Sequence, residues 1–456
     1  MAMSKTIRIK KGLDIQLKGS AQEVMVDATS IEDYAVKPTD FIGVTPKMLV
    51  KEGETVKAGT PLFYNKSNDT IKFTSPVSGT VKAVVRGAKR AILAVEVTSD
   101  GNHTSEAFAA ADPMKLGREE IINTLLASGA WTMLKQRPYG IVAEPTAMPK
   151  GIFISAFDSN PLAPNFDFML KGREDEFQCG LNALSRLAKV HLSFNPELNK
   201  SQMFTAAKKV ELHQFVGKHP AGLVGTQIAQ ISPINKGETV WTINAQDVAT
   251  IGHLFTKGEY RPEKMVAVAG PVVEKPQYYK VFAGAKICKL TENVKMENVR
   301  FISGSVLTGT TVAKDGYLGY YDNMISVLEE GNQYDFMGWL MPGFKKYSFS
   351  HTFLSGFFSH SAHNKKYLEG RTLNTGMHGD ARPMVMTGEF EKVLPMDIYP
   401  TQLIKACIVG DIDLMENLGI YEVEPEDFAL CEFIDTSKTE IQTIIREGLE
   451  LVRNNS

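Results

Sequence analysis

The chain has 456 residues, 43% of them hydrophobic, with 50 basic and 52 acidic side chains and a net charge of −2. That length suggests about three domains with ample apolar material for packed cores, and the near-neutral balance without a long basic run excludes nucleic acid as a partner. The four cysteines, Cys179, Cys288, Cys407 and Cys431, show no CxxC spacing; this excludes a disulfide scaffold, a zinc ribbon and a Cys-rich iron–sulfur site, and reads as reduced cytoplasmic thiols.

The N-terminal stretch 1–11 is charged and lacks an apolar core, so no signal peptide is expected. The longest apolar stretches, such as Met265–Val273, are too short to span a bilayer. Ile7 and Ile9, then Leu13, Ile15 and Leu17, alternate with period two and predict half-buried strands. Between Lys51 and Val85, Glu52-Gly53-Glu54 and Lys57-Ala58-Gly59 predict tight turns between short strands. Residues 1–104 thus read as a small β domain.

Asp112-Pro113 opens a predicted helix running to Ser128, with an apolar stripe that includes Ile121 and Leu125. A strand over Gly151–Phe157, a helix over Glu174–Val190, a strand over His191–Phe194, a loop after Leu223–Ile228 and a strand over Val240–Ile243 follow. Strands alternating with helices predict an α/β layer over 105–257. A second β-rich unit, 258–330, runs through Met265–Gly270, Lys280–Lys286, Arg300–Gly304 and Gly316–Tyr321. Residues 331–456 are aromatic and loop-rich, then helical. Ser437 and Glu440 have capping-box spacing ahead of Ile441, Ile445 and Val452, which fall on one helical face.

No GxGxxG follows a strand, and neither GxxxxGK[ST] nor HExxH occurs. His360 and His363 have the spacing of metal ligands on one helical face, but no carboxylate or cysteine completes the set, so no metal is expected.

Four regions carry resemblances to known families. Val50-Lys-Glu-Gly-Glu-Thr-Val-Lys-Ala-Gly-Thr-Pro-Leu62 with Thr74-Ser-Pro-Val-Ser-Gly-Thr-Val81 resembles biotinyl and lipoyl carrier domains, a barrel-sandwich hybrid. Such carriers need a lysine at a hairpin tip; the pattern places that tip near Asn68, with Lys66 out of register. The helix Glu119–Ser128 and its sequel Gly129–Pro138 resemble the Rossmann-like region of the flavin-carrying subunit of respiratory complex I and of the Rnf complex C subunit. Here Trp131–Lys135 replaces their glycine-rich loop, and bulky side chains oppose close approach to flavin. Val266–Val273, Gly284–Ile287 and Ile302–Ser305 look like the β-grasp SLBB module. Ala429–Lys438 looks like a vestigial ferredoxin stretch in which only Cys431 persists and Asp435 stands where a cluster ligand would be.

Over essentially the whole chain, this order is similar to the A-subunit family of the Na+-translocating NADH:quinone reductase. The resemblance implies a multi-domain α/β protein. Its parts are a barrel-sandwich hybrid, a Rossmann-like domain, an SLBB-like domain and a helical C-terminal domain. It implies a peripheral subunit of a translocase on the cytoplasmic face of the bacterial inner membrane, inactive alone and docked on a membrane subunit. No cofactor of its own is expected; FMN, FAD, iron–sulfur and NADH belong to partner subunits, and ubiquinone is the implied ligand. The alternatives are a flavin-binding electron-transfer subunit of an Rnf-like complex and a biotinyl or lipoyl carrier.

Quinone-binding candidates follow from strand ends and from the altered flavin loop: Trp131, Arg137, Asp158, Asn160, Asn244, Gln246 and Asp247. The competing reading is that these loops and a buried Trp only hold domains together. Docking candidates are Trp339, Phe344, Phe349, Phe357 and Phe358, in an aromatic run that also suits an ordinary core.

Overall fold

The computed structural model describes residues 6–333, 336–338, 340–344, 346–350, 353–355 and 372–455. The Gly- and Val-rich segment builds two facing sheets. One orders Asp33–Val36, Ile92–Ser99, Gly79–Arg86 and Thr55–Val56; the other, Pro46–Met48, Pro61–Asn65 and Asn68–Thr74. Their inner faces bury Val56, Leu62, Phe63, Phe73, Val81 and Val95, with Phe63 stacked on Phe73 at 4.7 Å. Gly59 turns with φ +92°, and a Cβ there would press on the Phe108 ring. The hairpin tip falls at Lys66-Ser67, between paired Asn65 and Asn68, so the expectation that Lys66 is out of register with the tip is corrected. The bulges in this hairpin break the simple count of residues that the carrier pattern assumes.

The α/β layer is a seven-stranded sheet, in order Thr6–Ile9, Glu211–Gly217, Val190–Phe194, Ile152–Ser155, Val240–Thr242, Lys135–Arg137 and Ile141–Val142. The first five run parallel, and the strand at 135–137 turns antiparallel. Helices Glu174–Ser185 and Ala245–Lys257 cross with almost no gap. A Cβ on Gly180 would lie 1.9 Å from the Val248 carbonyl oxygen, and one on Gly252 would lie 1.7 Å from that of Glu176. The six-stranded SLBB-like sheet orders Thr310–Val312, Val299–Ser303, Met324–Glu329, Glu263–Ala269, Gln277–Phe282 and Met25–Asp27.

Several expectations are corrected. Ile7 and Ile9 do lie on a strand, but it joins the edge of the α/β sheet rather than the first β domain, and Met25–Asp27 joins the SLBB-like sheet. Residues 13–17 form no strand; Ile15 is buried among the C-terminal helices. Alternation neither guarantees a strand, as at 13–17, nor names the sheet that buries one, as at 6–9. Val224–Ile231 is a helix that packs Ile228 against Phe153, and Gly316–Tyr321 is a loop.

The C-terminal unit packs Pro400–Val409, Ala429–Ile434 and the final helix Ile441–Asn455 around Ile404, Phe428 and Leu449. The predicted face of Ile441, Ile445 and Val452 is buried. The expected Ser437 cap gives way to Asp435, whose carboxylate accepts the Ser437 and Thr439 amides. Glu432 accepts the Gln442 amide inside the first turn.

Candidate functional site

A cavity of about 440 Å³ opens at the carboxyl ends of Ile152–Ser155 and Val240–Thr242, where an α/β sheet places ligands. The SLBB-like sheet supplies Gly304, Tyr321 and Asn323, and the C-terminal unit supplies Glu424, Glu426 and Arg446. The N-terminal barrel-sandwich domain adds Ile42, so four units share one hollow. Four predicted residues, Arg137, Asp158, Asn160 and Asn244, line it.

Each is fixed by its local chain. Asp158 accepts the Asn160 backbone amide and side-chain amide, both at 2.8 Å, and burial pushes its carboxyl above the usual range. Asn160 accepts the Ser305 hydroxyl at 3.2 Å, which bridges to the SLBB-like sheet. Asn244 caps helix Ala245–Lys257 by accepting the Gln246 amide at 2.9 Å. Its own amide nitrogen has no partner among the described residues, which leaves a donor at the cavity wall.

Arg137 is committed elsewhere. Its guanidinium donates to Asp427 at 2.8 Å and to Glu426, joining the sheet to the helical unit. Burial would lower its pKa, but the Asp427 and Glu426 carboxylates overcome this and hold it protonated. Burial also raises Asp427 and Glu424. Arg446 donates to Glu424 and to the Tyr139 carbonyl, both at 2.7 Å.

Trp131, Gln246 and Asp247 lie behind the wall. Trp131 is buried, donates to the Ala143 carbonyl at 2.7 Å and meets Trp241 edge to face at 5.3 Å. Gln246 donates to the Met265 carbonyl and the Asn323 side chain, each at 3.0 Å, and accepts the Met265 amide. Asp247 faces Lys264 at 3.6 Å, both buried. Gln246 and Asp247 fasten the α/β layer to the SLBB-like unit, and Trp131 packs within the layer itself, the reading that competed with ligand binding.

Sequence reasoning missed Lys135, Tyr321 and the acidic run Glu424-Pro-Glu-Asp427. Lys135 lines the cavity with its ammonium 4.9 Å from the Tyr321 ring centroid and forms no ion pair among the described residues. No local signal marks the acidic run, because its partner Arg137 lies 290 residues away.

Of the docking candidates, Phe344 is 58% exposed, while Phe349 packs against the helical core. Trp339, Phe357 and Phe358, like His360 and His363, lie outside the described residues. Phe336, Leu340 and Met341 are also exposed beside Phe344. No helix among the described residues is long and apolar enough to cross a membrane. Cys431 is a buried core thiol whose pKa burial raises strongly.

This succession of folds defines a class: a barrel-sandwich hybrid, an α/β domain and an SLBB-type domain on one chain. Family models agree segment by segment, matching the NqrA N-terminal barrel-sandwich hybrid domain over residues 7–100 and the NqrA second alpha/beta domain over 116–260. The NQRA C-terminal domain, of SLBB type, matches over 265–314. The A subunit of the Na+-translocating NADH-quinone reductase of Actinobacillus succinogenes is 40% identical over 450 residues, covering 98% of this chain and 99% of that protein. Those of Pasteurella multocida and Neisseria meningitidis serogroup B are each 39% identical with the same coverage. The chain belongs to the A-subunit family of the Na+-translocating NADH-quinone reductase. Among solved structures, an NAD+-reducing [NiFe]-hydrogenase chain overlays 46% of this chain and 47% of its own at 12% identity and a TM-score of 0.32, a likeness too slight to assign any residue a role.

Proposed function

We propose that this shared cavity receives the quinone head group within the assembled reductase, and that this chain acts as a peripheral subunit on the cytoplasmic face of the membrane. The observation that carries this reading is the cavity's mixed wall: Phe157, Phe166 and Ile243 are apolar, while Asn244 and Lys135 present hydrogen-bond donors. Its volume lies within the roughly 300–1,000 Å³ of small-molecule sites. A quinone ring needs a flat apolar surface and donors at its carbonyl oxygens. Lys135 would stabilise negative charge developing on one such oxygen, and Asn244 would donate to the ring or its methoxy groups. Arg137 and Arg446, neutralised by their carboxylates, set the wall rather than contact ligand.

We assign flavins, NADH and iron–sulfur centres to partner subunits. Two features support this: the Ala130–Met133 turn is packed into the core where a flavin loop would open, and Cys431 is a lone buried thiol. The exposed run at Phe336, Leu340, Met341 and Phe344 is assigned to contact with a membrane subunit.

Photo-labelling of the assembled complex with an azido-quinone tests the site. The expected label falls on peptides 155–166 and 240–246 of this chain and is competed away by excess ubiquinone. Label confined to other subunits would remove the quinone role and leave docking alone.

A further inference from the structure

At the opposite end of the α/β sheet, near the amino ends of its strands, a second group of side chains converges. His191 pairs with Glu211 across the parallel register of Val190–Phe194 and Glu211–Gly217, and His213 lies two residues past Glu211 on the same face. His191 Nδ1 lies 3.0 Å from His213 Nε2 and 3.6 Å from Glu211 Oε2, and one ligand atom from each residue lies within 4.8 Å of the others.

We propose that His191, Glu211 and His213 bind a divalent transition-metal ion of the zinc class, with a fourth position open to water. Tetrahedral zinc with Zn–N near 2.0–2.1 Å separates neighbouring ligand atoms by about 3.3 Å, which the 3.0 and 3.6 Å spacings bracket. Two imidazoles and one carboxylate suit zinc rather than calcium or magnesium, which take oxygen ligands. The rings are held in place: His191 stacks on Phe153 at 4.6 Å and on His213 at 5.2 Å. Lys189 grips the other Glu211 oxygen, Oε1, at 2.8 Å and leaves Oε2 towards the histidines. Such outer contacts orient a ligand carboxylate while an ion occupies its other oxygen. Glu211 is exposed and His213 half-buried, so an ion can enter from solvent. Without metal the same geometry is a plain imidazole–imidazole hydrogen bond, which the experiment must separate.

The test is calorimetric titration of the chelator-stripped full chain with Zn²⁺ alone, paired with the Zn²⁺-induced shift in melting temperature. The expected result is one ion per chain. Glu211→Gln and His213→Gln should each weaken binding by more than the roughly 10–100-fold that loss of an outer-shell contact costs, and abolish the melting shift. If His213→Gln folds poorly, the exposed Glu211→Gln variant carries the comparison. A His360→Ala, His363→Ala double variant should bind as the wild type does. Absence of binding, binding that survives Glu211→Gln, or binding lost with His360 and His363 would each overturn the site.

Discussion

Arg137 sits on a three-residue strand with its guanidinium paired to Asp427 and Glu426, which belong to the far end of the chain. The site is tight: a Cβ on Gly225 would lie 2.1 Å from Asp427 Oδ1. Removing one member of a buried ion pair strands the other, at a cost of roughly 3–5 kcal/mol. Arg137→Met should therefore lower the unfolding free energy by about that amount in urea melts, and adding Asp427→Asn should recover part of it. The buried histidines make a separate prediction. Burial lowers His191 and His219 from an ordinary 6.5 to about 4, with His213 adding to the effect at His191. The unfolded chain takes up these protons first as pH falls. Stability is thus fully present above pH 6.5 and is lost between 6.5 and about 4, by roughly 1.4 kcal/mol per pH unit for each group. His219→Gln should flatten that part of the pH–stability curve.

At the scale of elements, the crossing of helices Glu174–Ser185 and Ala245–Lys257 depends on Gly180 and Gly252. Their added Cβ atoms would meet backbone carbonyls, which cannot rotate away. Gly252→Ala should cost roughly 1–3 kcal/mol in thermal or denaturant melts, despite the better helix propensity of alanine. Helix Glu174–Ser185 and the strands around it were legible in the sequence, whereas helix Ala245–Lys257 was not read. Short apolar runs located Ile152–Ser155, Val190–Phe194 and Val240–Thr242, nearly all of whose residues are buried, and the one-sided apolar positions Ile441, Ile445 and Val452 located the final helix. The place of Lys66 at the hairpin tip was missed because bulges break the residue count, and the helix Val224–Ile231 because eight residues are too few to show a clear helical period.

At the scale of the molecule, the N-terminal 27 residues tie separate units together. Thr6–Ile9 completes the α/β sheet, Ile15 enters the helical core and Met25–Asp27 completes the SLBB-like sheet. Removing residues 1–28 should expose the edges at Glu211–Gly217 and Gln277–Phe282, and size-exclusion chromatography should show aggregation. These long-range pairings were invisible to local pattern. So was half of the cavity: strand ends announced Asp158, Asn160 and Asn244, whereas Lys135, Tyr321, Glu424 and Glu426 became site residues only when four units closed on one hollow.

The quinone reading is tested most directly by calorimetric titration of the isolated full chain with a short-chain, water-soluble ubiquinone. One binding event per chain is expected, weakened about tenfold by Asn244→Ala and again by Lys135→Gln, a loss of about 1.4 kcal/mol for each donor. Absence of binding, or binding indifferent to both substitutions, would contradict it.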